Sequence, residues 1–96
     1  PKTGLGQIYR SKAQEVAKEL DLRGLTVDEA TYQVEKYLDD AYLAGLEQVY
    51  LIHGKGTGAL RKAIQDLLHS YPHTQSHRLG GYREGGSGVT VVQLKK

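Results

Sequence analysis

Six residues, His53-Gly54-Lys55-Gly56-Thr57-Gly58, stand between a short apolar run, Val49-Tyr50-Leu51-Ile52, and an amphipathic run opening at Ala59. A buried strand therefore empties into a loop with glycine at every second position, and the loop empties into a helix start. Alternate glycines let the backbone enter conformations closed to residues with a Cβ. They also leave successive N–H groups uncovered beside the unpaired N–H groups of the helix's first turn. Lys55 adds a mobile positive charge and Thr57 a hydroxyl. Such a loop is suited to an anion, above all a phosphate. A tight strand-to-helix turn is the bland alternative, but three glycines in six residues exceed what a turn requires. Spacing excludes two familiar phosphate loops. The Walker pattern sets Lys and Ser/Thr directly after its last glycine, and the dinucleotide fingerprint sets two residues before its third.

The segments around this loop alternate in type. Residues 1–18 are polar and poorly periodic, and read as a linker with a turn or two of helix at most. Leu20 and Leu22 alternate with Asp21 and Arg23 in a short strand that Gly24 ends. Thr26 stands three residues before Glu29, a capping box for a helix whose apolar positions are Val27, Ala30, Val34, Tyr37, Leu38, Ala41 and Ala44, closed by Gly45. Leu46 to Ile52 read as a second strand, apolar enough to be a central parallel strand covered on both faces. Leu60, Ala63, Ile64, Leu67 and Leu68 form the buried stripe of a second helix that Pro72 limits. Third and fourth strands are predicted over His73–Leu79 and Val89–Leu94, joined by a glycine-crowded loop and meeting antiparallel. This order predicts an α/β fold, a two-layer βαβαββ sandwich with a mixed four-stranded sheet.

Ninety-six residues make one small domain. The absence of cysteine fits a reducing, cytoplasmic setting. No apolar run reaches membrane-spanning length, so no membrane role is expected. A start at Pro1 without Met predicts a piece of a longer protein. Residues 1–52 carry six basic and nine acidic side chains, a balance of −3, whereas residues 53–96 carry seven and two, a balance of +5. Positive charge gathered from the glycine loop onward favours nucleic acid over a lone metabolite.

Strand C-terminal ends share one edge of a parallel α/β sheet, and ligands bind there. Asp21-Leu22-Arg23-Gly24 and His53-Gly54-Lys55-Gly56 both lie at such ends. A third strand running parallel to them would bring the Gly80–Gly88 loop, with Arg83, Gly86 and Gly88, to the same cleft. Asp21 is open to three roles: partner of Arg23, acid orienting His53, or metal ligand. Arg23 offers a planar fork for phosphate. His53 could work as a general acid or base, or anchor the loop by hydrogen bonding; participation in the site is the favoured reading. Arg61 sits in the first turn of the second helix, against the helix dipole, so a bound anion would compensate it. Glu84 reads as a loop charge. His69, His73 and His77 have helical spacing, but Pro72 breaks any helix through them, so no dedicated metal site is expected.

Leu20-Asp21-Leu22-Arg23-Gly24, His53-Gly54-Lys55-Gly56-Thr57-Gly58 and Gly85-Gly86-Ser87-Gly88-Val89-Thr90 resemble the three hallmark stretches of the Smr (small MutS-related) domain, over about residues 19–94. That resemblance implies a domain over 19–96 with a fold like the C-terminal domain of a translation initiation factor. It implies nucleic-acid binding, and often endonuclease activity on DNA or RNA. Asp21, Arg23 and His53 would be the catalytic group. Arg23, Gly24, Gly54, Lys55, Gly56, Thr57, Gly58, Arg61, Arg83, Gly86 and Gly88 would hold phosphate. Arg23, where another branch has His, looks like the version at the C-terminus of a bacterial MutS paralogue, which implies a larger parent chain with an ATPase portion. Help from Mg2+ is left open. The alternative expectation is a non-catalytic module that targets its parent to branched DNA or ribosomal RNA.

Overall fold

A computed structural model describes residues 16–96. The expected linker over 1–18 lies outside the described residues except at its end, where Val16 packs against the core. Strand β1 spans Glu19–Asp21, helix α1 Val27–Leu43, β2 Gln48–Ile52, α2 Ala59–Ser70, β3 Thr74–Leu79 and β4 Val89–Leu94. Two short 3-10 turns, Tyr82–Glu84 and Gly86–Gly88, join β3 to β4. The mixed four-stranded sheet and its two helices are those expected from the order of segments.

Local chemistry sets the helix ends. Thr26 Oγ1 accepts from the Glu29 N–H at 3.1 Å while the Glu29 carboxylate accepts from the Thr26 N–H at 2.9 Å, a reciprocal capping box. At the other end Gly45 takes φ +80°, so that the Gly45 and Leu46 N–H groups turn back to the Tyr42 and Ala41 carbonyls. Leu46 is thereby committed to closing the helix, which is why β2 begins at Gln48 rather than at Leu46. Helix α2 ends at Ser70, and Tyr71, held before Pro72, has an extended ψ of 118°.

The sheet order is β1-β2-β4-β3. β1 runs parallel to β2, with Leu20 opposite Leu51. β4 runs antiparallel to β2, with Val49 opposite Val92, and β3 runs antiparallel to β4, with His77 opposite the same Val92. Two reversals make β3 parallel to β2 without touching it. The C-terminal ends of β1, β2 and β3 therefore share one edge.

Both helices cover the same face. Ala30, Val34, Leu38 and Ala41 of α1 and Ile64 and Leu68 of α2 form one buried cluster with Val49, Leu51, Val92 and Leu94. Each such side chain taken out of water contributes about 1.5–3 kcal/mol for the larger aliphatics. The expectation that β2 is covered on both faces is corrected here. Val49 and Leu51 are buried, but Gln48, Tyr50 and Ile52 alternate with them and are only half-buried. Among the described residues no helix lies on the second sheet face, where Val91, opposite Tyr50, is nonetheless buried.

Candidate functional site

The loop from β2 to α2 depends on left-handed glycines: Gly54, Gly56 and Gly58 take φ of +81°, +23° and +87°. Gly58 is the residue before α2, and no side chain caps that helix. The first turn of α2 also lacks an acidic residue, whereas α1 has Asp28 and Glu29 there. The positive end of α2 is thus left uncompensated by the protein, and that of α1 is not. Thr57 Oγ1 accepts from the Ala59 N–H at 3.3 Å. Among the described residues the N–H groups of Lys55, Gly56 and Thr57 have no hydrogen-bond partner. They are free to meet an anion.

The third glycine stretch is stitched to this loop. The Gly88 carbonyl accepts from the N–H groups of both His53 and Gly54, at 3.0 and 2.9 Å. Within the stretch Gly85 has to be glycine: its φ is +101°, and a Cβ there would lie 2.4 Å from a Val89 methyl. The Gly80–Gly88 loop therefore does join the edge that holds the other two stretches.

His53 is only 5% exposed. Its Nδ1 lies 2.9 Å from the Gly54 carbonyl oxygen and its Nε2 2.8 Å from Thr90 Oγ1, in a buried pair. A carbonyl can only accept, so Nδ1 carries a proton, and in the neutral ring Nε2 accepts from the Thr90 hydroxyl. Both ring nitrogens are occupied by the protein.

Asp21 is turned to Arg23 rather than to His53. Arg23 donates to the Asp21 carboxylate three times, from its backbone N–H at 3.0 Å, Nε at 2.9 Å and Nη2 at 2.7 Å. The hydrogen bonds from Arg23 hold the Asp21 carboxyl down at about 2, against an ordinary 3.8. The Arg23 stem crosses Gly54, where a Cβ would lie 3.4 Å from Arg23 Cγ. Arg61 folds back from the first turn of α2, with a guanidinium nitrogen 3.0 Å from where a Gly58 Cβ would stand. Among the described residues Lys55, Arg61 and Arg83 make no ion pair.

The glycine loop forms a ridge between two grooves. On the helix side, about 410 Å3 lies between Thr26, the loop and Arg61. On the second sheet face, about 750 Å3 lies over Tyr50, Ile52 and Val89, lined by Arg23, Lys55 and Arg83 and by the carboxylates of Glu19 and Glu84. All four site cations thus border one of the two.

Glu84 is a held charge rather than a loose loop charge, and it lines the groove on the second sheet face. It accepts from Arg78 at 2.6 and 3.0 Å and from the Gly81 N–H at 2.8 Å, which straps the loop to β3. These bonds, Arg78's first, hold the Glu84 carboxyl at about 2, against an ordinary 4.5. The histidines on the two sides of Pro72 lie on different elements. His69 of α2 and His77 of β3 meet edge to face with ring centroids 5.0 Å apart, while His73 stacks on Tyr42 at 3.7 Å. Burial and then His69 lower the His77 pKa. Among the described residues no three His, Asp or Glu side chains gather as a metal site would need.

The carboxylate shifts fix the sign of an acid effect. Asp21 and Glu84 have depressed folded-state values, so their contribution is present above about 4.5 and is lost as pH falls toward 2. The melting temperature is expected to drop across that window, and less so for Asp21→Asn and Glu84→Gln. Because both pairs are exposed, molar salt should blunt the effect, with the Debye length contracted to about 3 Å. Thermal melts between pH 5 and 2 check this, and equal acid slopes in all three proteins would refute it.

Sequence reasoning missed Thr90 as the partner of His53 and Arg78 as the partner of Glu84. Thr90 lies within a hallmark stretch, but no local pattern joins residues 37 positions apart.

A family model for the Smr domain matches residues 20–95. The chain belongs to the Smr domain family. This Smr domain is 64% identical over 87 residues to a protein named Endonuclease MutS2 from Pelotomaculum thermopropionicum, covering 91% of the chain and 11% of that relative. It is 59% identical over 86 residues to an Endonuclease MutS2 from Clostridium perfringens, covering 90% of the chain and 11% of the relative. The chain therefore spans about a tenth of the length of these relatives. Among solved structures, the Smr domain of Thermus thermophilus MutS2 superposes with a TM-score of 0.81 at 49% identity, over 83% of this chain and all of that one. YdaL, a stand-alone small MutS-related protein from Escherichia coli, gives 0.78 at 26% identity, over all of this chain and 78% of that one. No described helix is long and apolar enough to cross a membrane.

Proposed function

We propose that this Smr domain binds the sugar-phosphate backbone of DNA or RNA at the His53–Gly58 loop and cleaves a phosphodiester there, as part of a larger MutS2-like chain. The observation that carries the reading is the α2 N-terminus, whose N-cap Gly58 has no side chain to offer, with free N–H groups beside it and with Lys55 and Arg61, which have no ion pair among the described residues, lining the same space. A phosphate would supply the missing negative charge. The name Endonuclease MutS2, borne by relatives about 60% identical over this segment, supports the same direction.

Hydrolysis or transfer at phosphorus adds negative charge around the equatorial oxygens, so preorganised donors accelerate it. Lys55, Arg61 and the loop N–H groups would provide them, with Arg23 joining by exchanging Asp21 for the phosphate. The exchange would free the Asp21 carboxylate to accept the proton of the attacking oxygen. His53 would position the loop through Gly54 and Thr90. The residues present do not fit a resident Mg2+: among the described residues no group of three carboxylate or histidine side chains gathers at the loop. No step is routed through a metal.

A second reading, a binding module that delivers its parent chain to branched DNA or ribosomal RNA, is favoured by one observation. Both ring nitrogens of His53 are engaged by the protein, and both carboxylate oxygens of Asp21 accept from Arg23. Cleavage of supercoiled plasmid and of structured RNA, with and without Mg2+, separates the two. Under the nuclease reading Arg23→Ala cuts product formation by about 10²-fold or more, and Asp21→Asn abolishes it while binding persists. If wild type and both variants leave the same trace of product, cleavage is refuted and the binding module stands.

A further inference from the structure

Tyr82 is 99% exposed, against 69% for Tyr32, the next most exposed large apolar or aromatic side chain among the described residues. Its mount is tied down on both sides. Glu84 is bonded to Arg78 and to the Gly81 N–H, the Gly81 carbonyl accepts from Glu84 and Gly86, and the Gly80 N–H donates to Val89. The backbone under Tyr82 is thus tied into the sheet edge while its ring adds nothing to the core. The next residue, Arg83, borders the groove on the second sheet face with Arg23 and Lys55, and Glu19 and Glu84 line it too, the latter engaged by Arg78. An aromatic ring held in water beside the Arg83 and Lys55 charges has the two parts of a single-strand binding surface: charge for the backbone and a platform for a base. Tyrosine suits that task because its large ring has few rotamers to lose.

We propose that Tyr82 stacks on an unpaired base of the bound strand, which makes the interface selective for single-stranded or locally unpaired nucleic acid. This rests on the phosphate-binding reading above and goes beyond it. In a duplex the base faces are hidden by their neighbours, so only the phosphate contacts remain available.

Three ligands test the proposal on the 96-residue chain: a single-stranded oligonucleotide, the same oligonucleotide with abasic residues, and a matched duplex. Tyr82→Ala is expected to weaken single-strand binding about tenfold and to leave the abasic and duplex affinities unchanged. The chain has no tryptophan, so Tyr82→Trp introduces a sole indole. Its fluorescence should be quenched by the single strand and not by the abasic one. Equal losses on all three ligands, an unchanged single-strand affinity, or an unquenched indole each overturn the stacking role. If wild type binds none of the three, the phosphate reading itself falls, which is a separate and recognisable result.

Discussion

His53→Leu is expected to destabilise the domain by about 1–3 kcal/mol, the range for leaving a buried polar group without its partner. For a domain of this size that corresponds to a melting temperature lower by on the order of 10 °C. Thr90 has a fully buried side chain, and its hydroxyl bonds His53 Nε2. Leucine fills the space but leaves that hydroxyl, and the Gly54 carbonyl, unmatched. Thr90→Val, close in shape, should cost a similar amount by stranding Nε2. The double variant removes both partners, so its cost should fall well short of the sum. Strict additivity in the cycle would show that the pair does not interact. Nucleic-acid affinity gives an independent readout. Removing a residue that only carries a proton leaves binding intact, whereas loosening the loop weakens it. We expect His53→Leu to weaken binding, because the ring ties the loop to β4.

How far these features were legible follows from their range along the chain. Helix α1 was read to within a residue because its signals are local: Thr26 with Glu29 at one end, Gly45 at the other. The glycine loop was equally legible, since the backbone conformations it needs are confined to Gly54, Gly56 and Gly58. The sheet was legible in type but not in detail. Insertion of β4 between β2 and β3 is a non-local pairing, and it leaves β3 parallel to β2 only through two reversals. The burial of β2 is less complete than its apolar run suggests, because Tyr50 and Ile52 are half-buried on the face away from α1 and α2. Within the site, what stayed hidden was the choice of partner. Asp21 had three possible roles, and the choice of Arg23 became visible only in the fork-like contact of their side chains. His53 with Thr90, and Arg78 with Glu84, join segments whose proximity the loops create.

Affinity for nucleic acid should fall steeply with salt, and the steepness depends on that Asp21–Arg23 pair. Each phosphate neutralised on a duplex contributes about −0.9 to the slope of log K against log salt. Lys55, Arg61 and Arg83, without ion pairs among the described residues, predict a slope near −2.7; a fully engaged Arg23 would bring it to about −3.6. Between 50 and 200 mM salt this means a loss of roughly 40- to 150-fold. Lys55→Ala should flatten the slope by about 0.9. Asp21→Asn acts in the opposite sense: it withdraws the carboxylate that compensates Arg23, so the slope steepens toward the four-cation value and binding at low salt tightens. Anisotropy titrations at several salt concentrations read both effects. A slope near zero in the wild type would refute phosphate contact at this cleft. Weaker binding by Asp21→Asn would mean that Arg23 needs its carboxylate to hold the phosphate-binding pose. Tighter binding together with lost cleavage would separate the two tasks, assigning attraction to the cations and turnover to the carboxylate they release.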